Sequence, residues 1–278
     1  MVSIKRKQIV GMNQHYKRFS LDYFLDCQQR VGIQNIELWC GVSHFWLDHQ
    51  SYGSIKELQR KLQKRNLKIV SVTAPSMAYQ YQYASQEPEG LEKSFLYFSN
   101  GIKVAAELGA DRVVVNSGWG YHNEDPLEMW KRSKDHLRRL AEVGLREGVT
   151  LAMESLRDDE SNIVNSLETT RRMLDEVSHP NLKITVDTIA TGAAGESLSL
   201  WFQTFGKDLI HMHFLDGDPY VHNAWGDGNT PLESQLKEIN DWNYEGYLVQ
   251  EIADDRYLAD PFSADVKNMR TLERFIED

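Results

Sequence analysis

Four residues in this 278-residue chain have the types and the placement to do chemistry together. Glu154 closes the run "TLAME", Asp187 closes "KITVD", His213 closes "IHMH", and Glu251 follows "GYLVQ". Each ends a short strand-like run, where an interior rejects a charge unless it is paired or bound to a cation. The steps between them are 33, 26 and 38 residues, each about one strand-plus-helix unit, so the four converge on one rim. Three carboxylates and one imidazole suit one divalent ion, Mn²⁺, Mg²⁺, Co²⁺ or Zn²⁺. Oxygen donors favour hard cations, and the histidine extends the set to borderline ones. A lone strand-end carboxylate is more often a helix cap or a loop hydrogen-bond partner; the joint placement of four carries the reading.

The elements that must position them can be read along the chain. Strand candidates are "IVGMN", "NIELWC", "KIVSVTAP", "RVVVNSG", "TLAMESL", "KITVDT", "IHMHFLD" and "GYLVQEI". Between them run segments of helical period such as "GSIKELQRKLQKRN", "EKSFLYFSNGIKVAAELG" and "SLETTRRMLDEV". In "PLEMWKRSKDHLRRLAEVGLREG", Leu127, Trp130, Leu137, Leu140 and Val143 recur at helical spacing and Gly148 supplies a stop. Eight strands alternating with eight helices imply parallel strands and crossover helices, whose closed form is the (β/α)₈ TIM barrel. No linker marks a second domain, so one catalytic domain over residues 1–278 is expected.

Strand parity supports the inward placement. "TLAMESL" puts Thr150, Ala152 and Glu154 on one face, "KITVDT" puts Lys183, Thr185 and Asp187 inward, and "IHMHFLD" puts His211 and His213 inward. "GYLVQEI" fits less well, because Gln250 falls on the outward face beside Leu248.

Composition narrows the function classes. A net charge of −10 gives no electrostatic footprint for nucleic acid or an anionic membrane. No stretch approaches the apolar length of a membrane span, and the basic start "MVSIKRKQIVG" lacks the apolar run of a signal peptide. Cys27 and Cys40 read as buried thiols of a cytoplasmic protein. A homo-oligomer is compatible with the sequence, which fixes no oligomeric state.

The motifs "LAMESL", "ITVDT", "IHMHFLD" with the "GDG" that follows, and "EGYLVQEI" resemble the metal-site set of the xylose-isomerase-like sugar isomerase/epimerase superfamily, in particular the ketose 3-epimerases. "NIELWCGVSHF", "DESNIVNSLETTRRML" and "VHNAWGDGNTPL" resemble the fructoselysine 3-epimerase branch. The resemblance implies a ketose whose C2 carbonyl and C3 hydroxyl reach the ion. A cation at the enolate oxygen stabilises charge there as the C3 proton leaves. Inversion at C3 needs one base on each face of a planar enediolate, and Glu154 and Glu251 are expected both to ligate the ion and to move those protons. Asp187 and His213 would complete the shell. Psicose- and tagatose-type epimerases carry a histidine three residues beyond the metal aspartate and an arginine six beyond the metal histidine. Here Ala190 and Pro219 stand there, which argues against a simple hexulose and favours a ketose-amine such as fructoselysine.

Further substrate contacts are expected from Arg157, as an anion clamp, and from His222, Trp119, His44 and Trp39, with His122 as another pocket wall. Asp216 is expected to orient His213 or to touch substrate. His211 is expected to be a core or orienting histidine, Glu37 a deeper site residue or an internal hydrogen-bond partner, and Gly226 and Gly228 a loop turn. Alternatives in the same class are an aldose–ketose isomerase and a sugar-phosphate epimerase. More remote are a three-zinc nuclease resembling endonuclease IV, for which Glu37, His15 and His44 would be the only extra ligands, and a catalytically silent barrel.

Overall fold

The computed structural model describes residues 2–41, 44–77, 80–218 and 220–277. The alternation of strand and helix produces a closed ring of eight strands: β1 (Ile9–Met12), β2 (Asn35–Trp39), β3 (Lys68–Thr73), β4 (Arg112–Val115), β5 (Thr150–Glu154), β6 (Leu182–Asp187), β7 (Leu209–His213) and β8 (Leu248–Gln250). All neighbours are parallel, and β8 closes on β1 through Ile9 opposite Leu248 and Gly11 opposite Gln250. Outside the ring, Ile4–Lys5 pairs in parallel with Ile276–Glu277.

The helices between strands are α1 (Leu21–Arg30), α2 (Ile55–Gln63), α3 (Pro88–Leu108), α4 (Pro126–Glu147) and α5 (Leu167–Val177), then α6 (Thr188–Ala193) and α7 (Leu198–Phe205), α8 (Leu232–Asp241) and α9 (Pro261–Leu272). Local chemistry sets their ends. In α4 the Asp125 side chain accepts from the Leu127 N–H, Pro126 fits the first turn, and Gly148 takes the left-handed conformation (φ 71°) that ends it. Trp130, Leu137, Leu140 and Val143 are buried as the spacing predicts, but Leu127, in the first turn, is exposed. The expected one helix per crossover fails after β6, where the six-residue α6 precedes α7.

Helix-facing side chains such as Ile36, Leu38, Leu151, Met153, Ile184, Val186 and Met212 join the main core. Inside the barrel, Val10, Met12, Trp39, Val70 and Val249 form a separate apolar cluster. Two register shifts re-aim side chains toward that interior, as bulges do. Ile36 faces Ile69 but Glu37 faces Ser71, and Ile184 faces Leu209 but Thr185 faces His211. Gln250 does point outward; it is buried because its amide oxygen accepts from Asn268 on α9 at 2.9 Å. Both cysteines are buried free thiols, and no described helix is long and apolar enough to cross a membrane.

Candidate functional site

A cavity of about 610 Å³ opens at the C-terminal ends of the strands. Glu154, Asp187 and Glu251 line it, and His213 lies buried beneath them. Its two sides differ. Thr73, Ala74, Pro75, Ser76, Met77, Val114 and Asn116 give an uncharged side from β3 and β4; Arg157, Glu160, His222, Asp254 and Asp255 join the carboxylates to give a charged one.

The four predicted residues meet there. Their ligand atoms lie within 4.8 Å of one another. The His213 Nδ1 is 2.6 Å from Glu154 Oε1, 2.7 Å from Glu251 Oε2 and 3.9 Å from Asp187 Oδ2. Despite this closeness, Nδ1 is a buried atom without a hydrogen-bond partner: it sits among the carboxylates without aiming a bond at any of them. An imidazole lone pair and three carboxylates facing one point fit a divalent cation, since ligands on opposite sides of such an ion stand about 4–5 Å apart. His213 Nε2, on the other side of the ring, is 3.1 Å from Glu37 Oε1.

Asp187 serves two masters. It caps α6, its Oδ1 accepting from the Ile189 and Ala190 N–H groups at 2.5 and 2.8 Å, while Oδ2 faces the cluster and accepts from His222 Nε2 at 3.1 Å. The helix-cap reading and the cluster reading of this residue hold together.

Electrostatics follow burial and neighbours. Burial pushes the Glu154 carboxyl up, to about 7; His213 pulls it down, while Glu251 and Asp187 add to the rise. Burial also opposes ionisation of Asp187, but His222, His213 and the Ala190 N–H outweigh it and hold the carboxyl at about 2. For His213, burial disfavours the charged ring, yet Glu154, Glu251 and Glu37 raise it well above its ordinary value. Burial likewise works against protonation of His222, and Asp187 and Glu251 overrule it, raising the ring to about 9. So much negative potential around two imidazoles is what a bound cation would relieve.

The other expected contacts divide. Arg157, His222 and Trp39 line the cavity. Arg157 is held by Asp159 at 3.0 Å and Glu160 at 3.1 Å, and its Nη1 is 3.1 Å from His222 Nδ1, so the expected anion clamp is already neutralised. The Trp39 ring lies over Gly41, where an added Cβ would come within 2.1 Å of it.

His44 does not reach the cavity. Its Nδ1 accepts from the Asn13 amide at 2.8 Å and its Nε2 meets the Phe19 carbonyl at 2.8 Å, while Asn13 clamps both backbone groups of Trp39. Trp119 stands behind the lining, donating to the Met77 carbonyl, and His122 is exposed outside it. Asp216 neither orients His213 nor faces substrate. Its carboxylate accepts from the N–H groups of Gly217, Gly226, Gly228 and Thr230, which folds the "GDG" loop, with Gly226 at φ 97°. Pro219 lies outside the described residues.

Glu37 takes the orienting place expected of Asp216. The cavity residues not singled out in the sequence include Asn116, Glu160, Asp254 and Asp255. Asn116, just past β4, was within reach of the strand-end argument; the other three sit in loops, where no periodicity points inward.

Residues 28–274 match the sequence model of the xylose isomerase-like TIM barrel. The chain belongs to that family. Within it, the chain is 26% identical over 248 residues to a fructoselysine 3-epimerase of Shigella flexneri, covering 88% of this chain and 90% of the relative. It is 21% identical over 234 residues to a D-psicose 3-epimerase of Ruminiclostridium cellulolyticum, covering 82% and 77%. Its fold is similar to the solved structure of D-psicose 3-epimerase with D-tagatose from Clostridium cellulolyticum H10, with a TM-score of 0.78, 16% identity, and coverage of 98% of this chain and 100% of that one.

Proposed function

We propose that this protein is a divalent-metal-dependent cytoplasmic epimerase, one catalytic domain that inverts C3 of a ketose or ketose derivative, with a fructoselysine-like ketose-amine as the favoured substrate. The carrying observation is the convergence of Glu154, Asp187 and Glu251 on the His213 Nδ1, at the floor of a cavity with room for a sugar. Two relatives covered over three quarters or more of their own length bear the names fructoselysine 3-epimerase and D-psicose 3-epimerase. Ala190 lines the cavity where the free-sugar enzymes are expected to carry a histidine.

Glu154, Asp187, His213 and Glu251 would hold the ion. Such an ion would supply positive charge that stabilises the enolate oxygen as the C3 proton leaves. Glu154 and Glu251 then do the proton work. One removes the C3 proton, leaving a planar cis-enediolate, and the other returns a proton to the opposite face. Trp39 offers an aromatic face to the sugar ring, while His222 and Arg157 lie within reach of its hydroxyls. The pairing of Lys17 with Asp255 at 2.9 Å, and of Arg157 with two acids, leaves little free positive charge for a phosphate, which weighs against a sugar-phosphate substrate.

The test is incubation with Mn²⁺ in D₂O across ketoses, sugar phosphates and fructosyl amino acids. Deuterium at C3 of a fructosyl amino acid supports the proposal. Label moving between C1 and C2 would make the protein an aldose–ketose isomerase, and no metal-dependent exchange with any substrate would overturn the enzymatic reading.

A further inference from the structure

Glu37, on β2, lies across the barrel from the cluster and is wholly buried. Its carboxylate accepts four hydrogen bonds, two at each oxygen. Oε1 receives Thr73 Oγ1 at 2.8 Å and His213 Nε2 at 3.1 Å; Oε2 receives Ser71 Oγ at 2.5 Å and His211 Nε2 at 2.7 Å. A carboxylate so surrounded can only accept, so both imidazoles must present an N–H at Nε2. The direction of His213 follows: with its Nε2–H held by Glu37, Nδ1 is the nitrogen that faces Glu154, Asp187 and Glu251 and the one a cation would take in place of a proton.

Both register shifts in the ring serve this arrangement. The extra residue Val70 on β3 brings Ser71 opposite Glu37, and the extra residue Ile210 on β7 brings His211 opposite Thr185 and His213 opposite Asp187. Without them the partners of Glu37 would point to the helix side. His211 Nδ1 has no hydrogen-bond partner, so nothing else in the described structure dictates how that ring is protonated.

We propose that Glu37 is the positioning residue of the site: anchored by Ser71, Thr73 and His211, it fixes the ring plane and tautomer of His213 so that Nδ1 is presented to a cation. The proposal rests on reading His213 as a ligand. Glu37 touches neither the cavity nor the reacting atoms and acts only through His213.

The experiment measures Mn²⁺ affinity of chelator-stripped wild type, Glu37→Ala and Glu37→Gln by calorimetry, with circular dichroism to establish folding. Histidine-selective ¹⁵N NMR of the Mg²⁺-loaded wild type then locates the ring protons. The expected results are a Kd for Mn²⁺ raised about 10- to 100-fold in the alanine variant and less in the near-isosteric glutamine variant. In wild type, His213 should carry its proton on Nε2 and none on Nδ1. A folded alanine variant that binds Mn²⁺ within twofold of wild type overturns the proposal, as does a proton on Nδ1. Should the alanine variant not fold, the glutamine variant decides by the same twofold limit. Wild type that takes up no Mn²⁺ would instead sink the reading of the cluster as a metal site; wild type binding one ion with the variants its equal sinks the anchor alone.

Discussion

At the scale of single residues, the two glutamates are expected to be separable from the rest of the cluster by isosteric substitution. Glu154→Gln and Glu251→Gln should each lower the rate of C3 hydrogen exchange by roughly 10²- to 10⁴-fold while leaving the protein folded, read by deuterium uptake and circular dichroism. Full exchange in either variant would remove that residue from the mechanism. Gly41→Ala should drive the Trp39 ring out of its place and lower kcat/KM by about tenfold or more, because small displacements of positioning groups cost large factors in rate. An unchanged kcat/KM would mean that the indole does not carry the sugar. The meeting of Glu154, Asp187, His213 and Glu251 was legible in the sequence because strand-end position and inward parity are one-dimensional properties. The anchoring of His213 by Glu37 was not legible, since it depends on two register shifts and on a contact between residues far apart in the chain. Asp216 was misread for the complementary reason: its nearness in sequence to His213 suggested a partnership, while its backbone turns it onto the glycine loop.

At the scale of elements, a buried carboxylate ties the last helix to the first crossover. Asp265 on α9 accepts from His15 Nε2 at 3.0 Å, from Tyr16 Oη at 2.6 Å and from Gln28 Nε2 at 2.6 Å. Asp265→Ala would leave those buried donors unpaired, and a loss of roughly 3–5 kcal/mol is expected from urea unfolding. The contact occupies His15 Nε2, and among the described residues His15 belongs to neither group able to hold a metal ion, which gives no support to the three-zinc reading. Helix α4 carries a pH-dependent contribution of its own. Burial among Tyr83, Phe95 and Phe98 holds His136 down at about 3, far below its unfolded value of about 6.5. Between those two values the unfolded chain binds the extra proton, so stability is complete above about pH 6.5 and falls as pH drops toward 3. His136→Gln should flatten that limb of the stability-against-pH curve; an unaltered slope would assign the acid sensitivity elsewhere. The strand-and-helix alternation was readable from hydrophobic period, but α6 was not, because a six-residue helix nucleated on the Asp187 side chain has too few turns to show one.

At the scale of the whole molecule, the chain carries a net charge of −10, and three of its carboxylates, two buried and one half-buried, face one another at the strand ends. A cation that binds only the folded state at a hundredfold its Kd stabilises by about 2.7 kcal/mol. Micromolar to millimolar Mn²⁺ is therefore expected to raise the melting temperature of the stripped protein by about 5 °C, and EDTA to reverse it. A flat response to Mn²⁺, Mg²⁺, Co²⁺ and Zn²⁺ alike would count against the cluster as a metal site. The unequal sides of the cavity carry a consequence for how such a barrel diversifies. Proton transfer is assigned to the half built from strands β5 to β8, whereas Ala74, Met77, Val114 and Asn116 line the uncharged half. Libraries randomised at those four positions should yield variants with new tastes and an intact engine, which makes the uncharged flank the natural starting point for directed evolution of sugar preference.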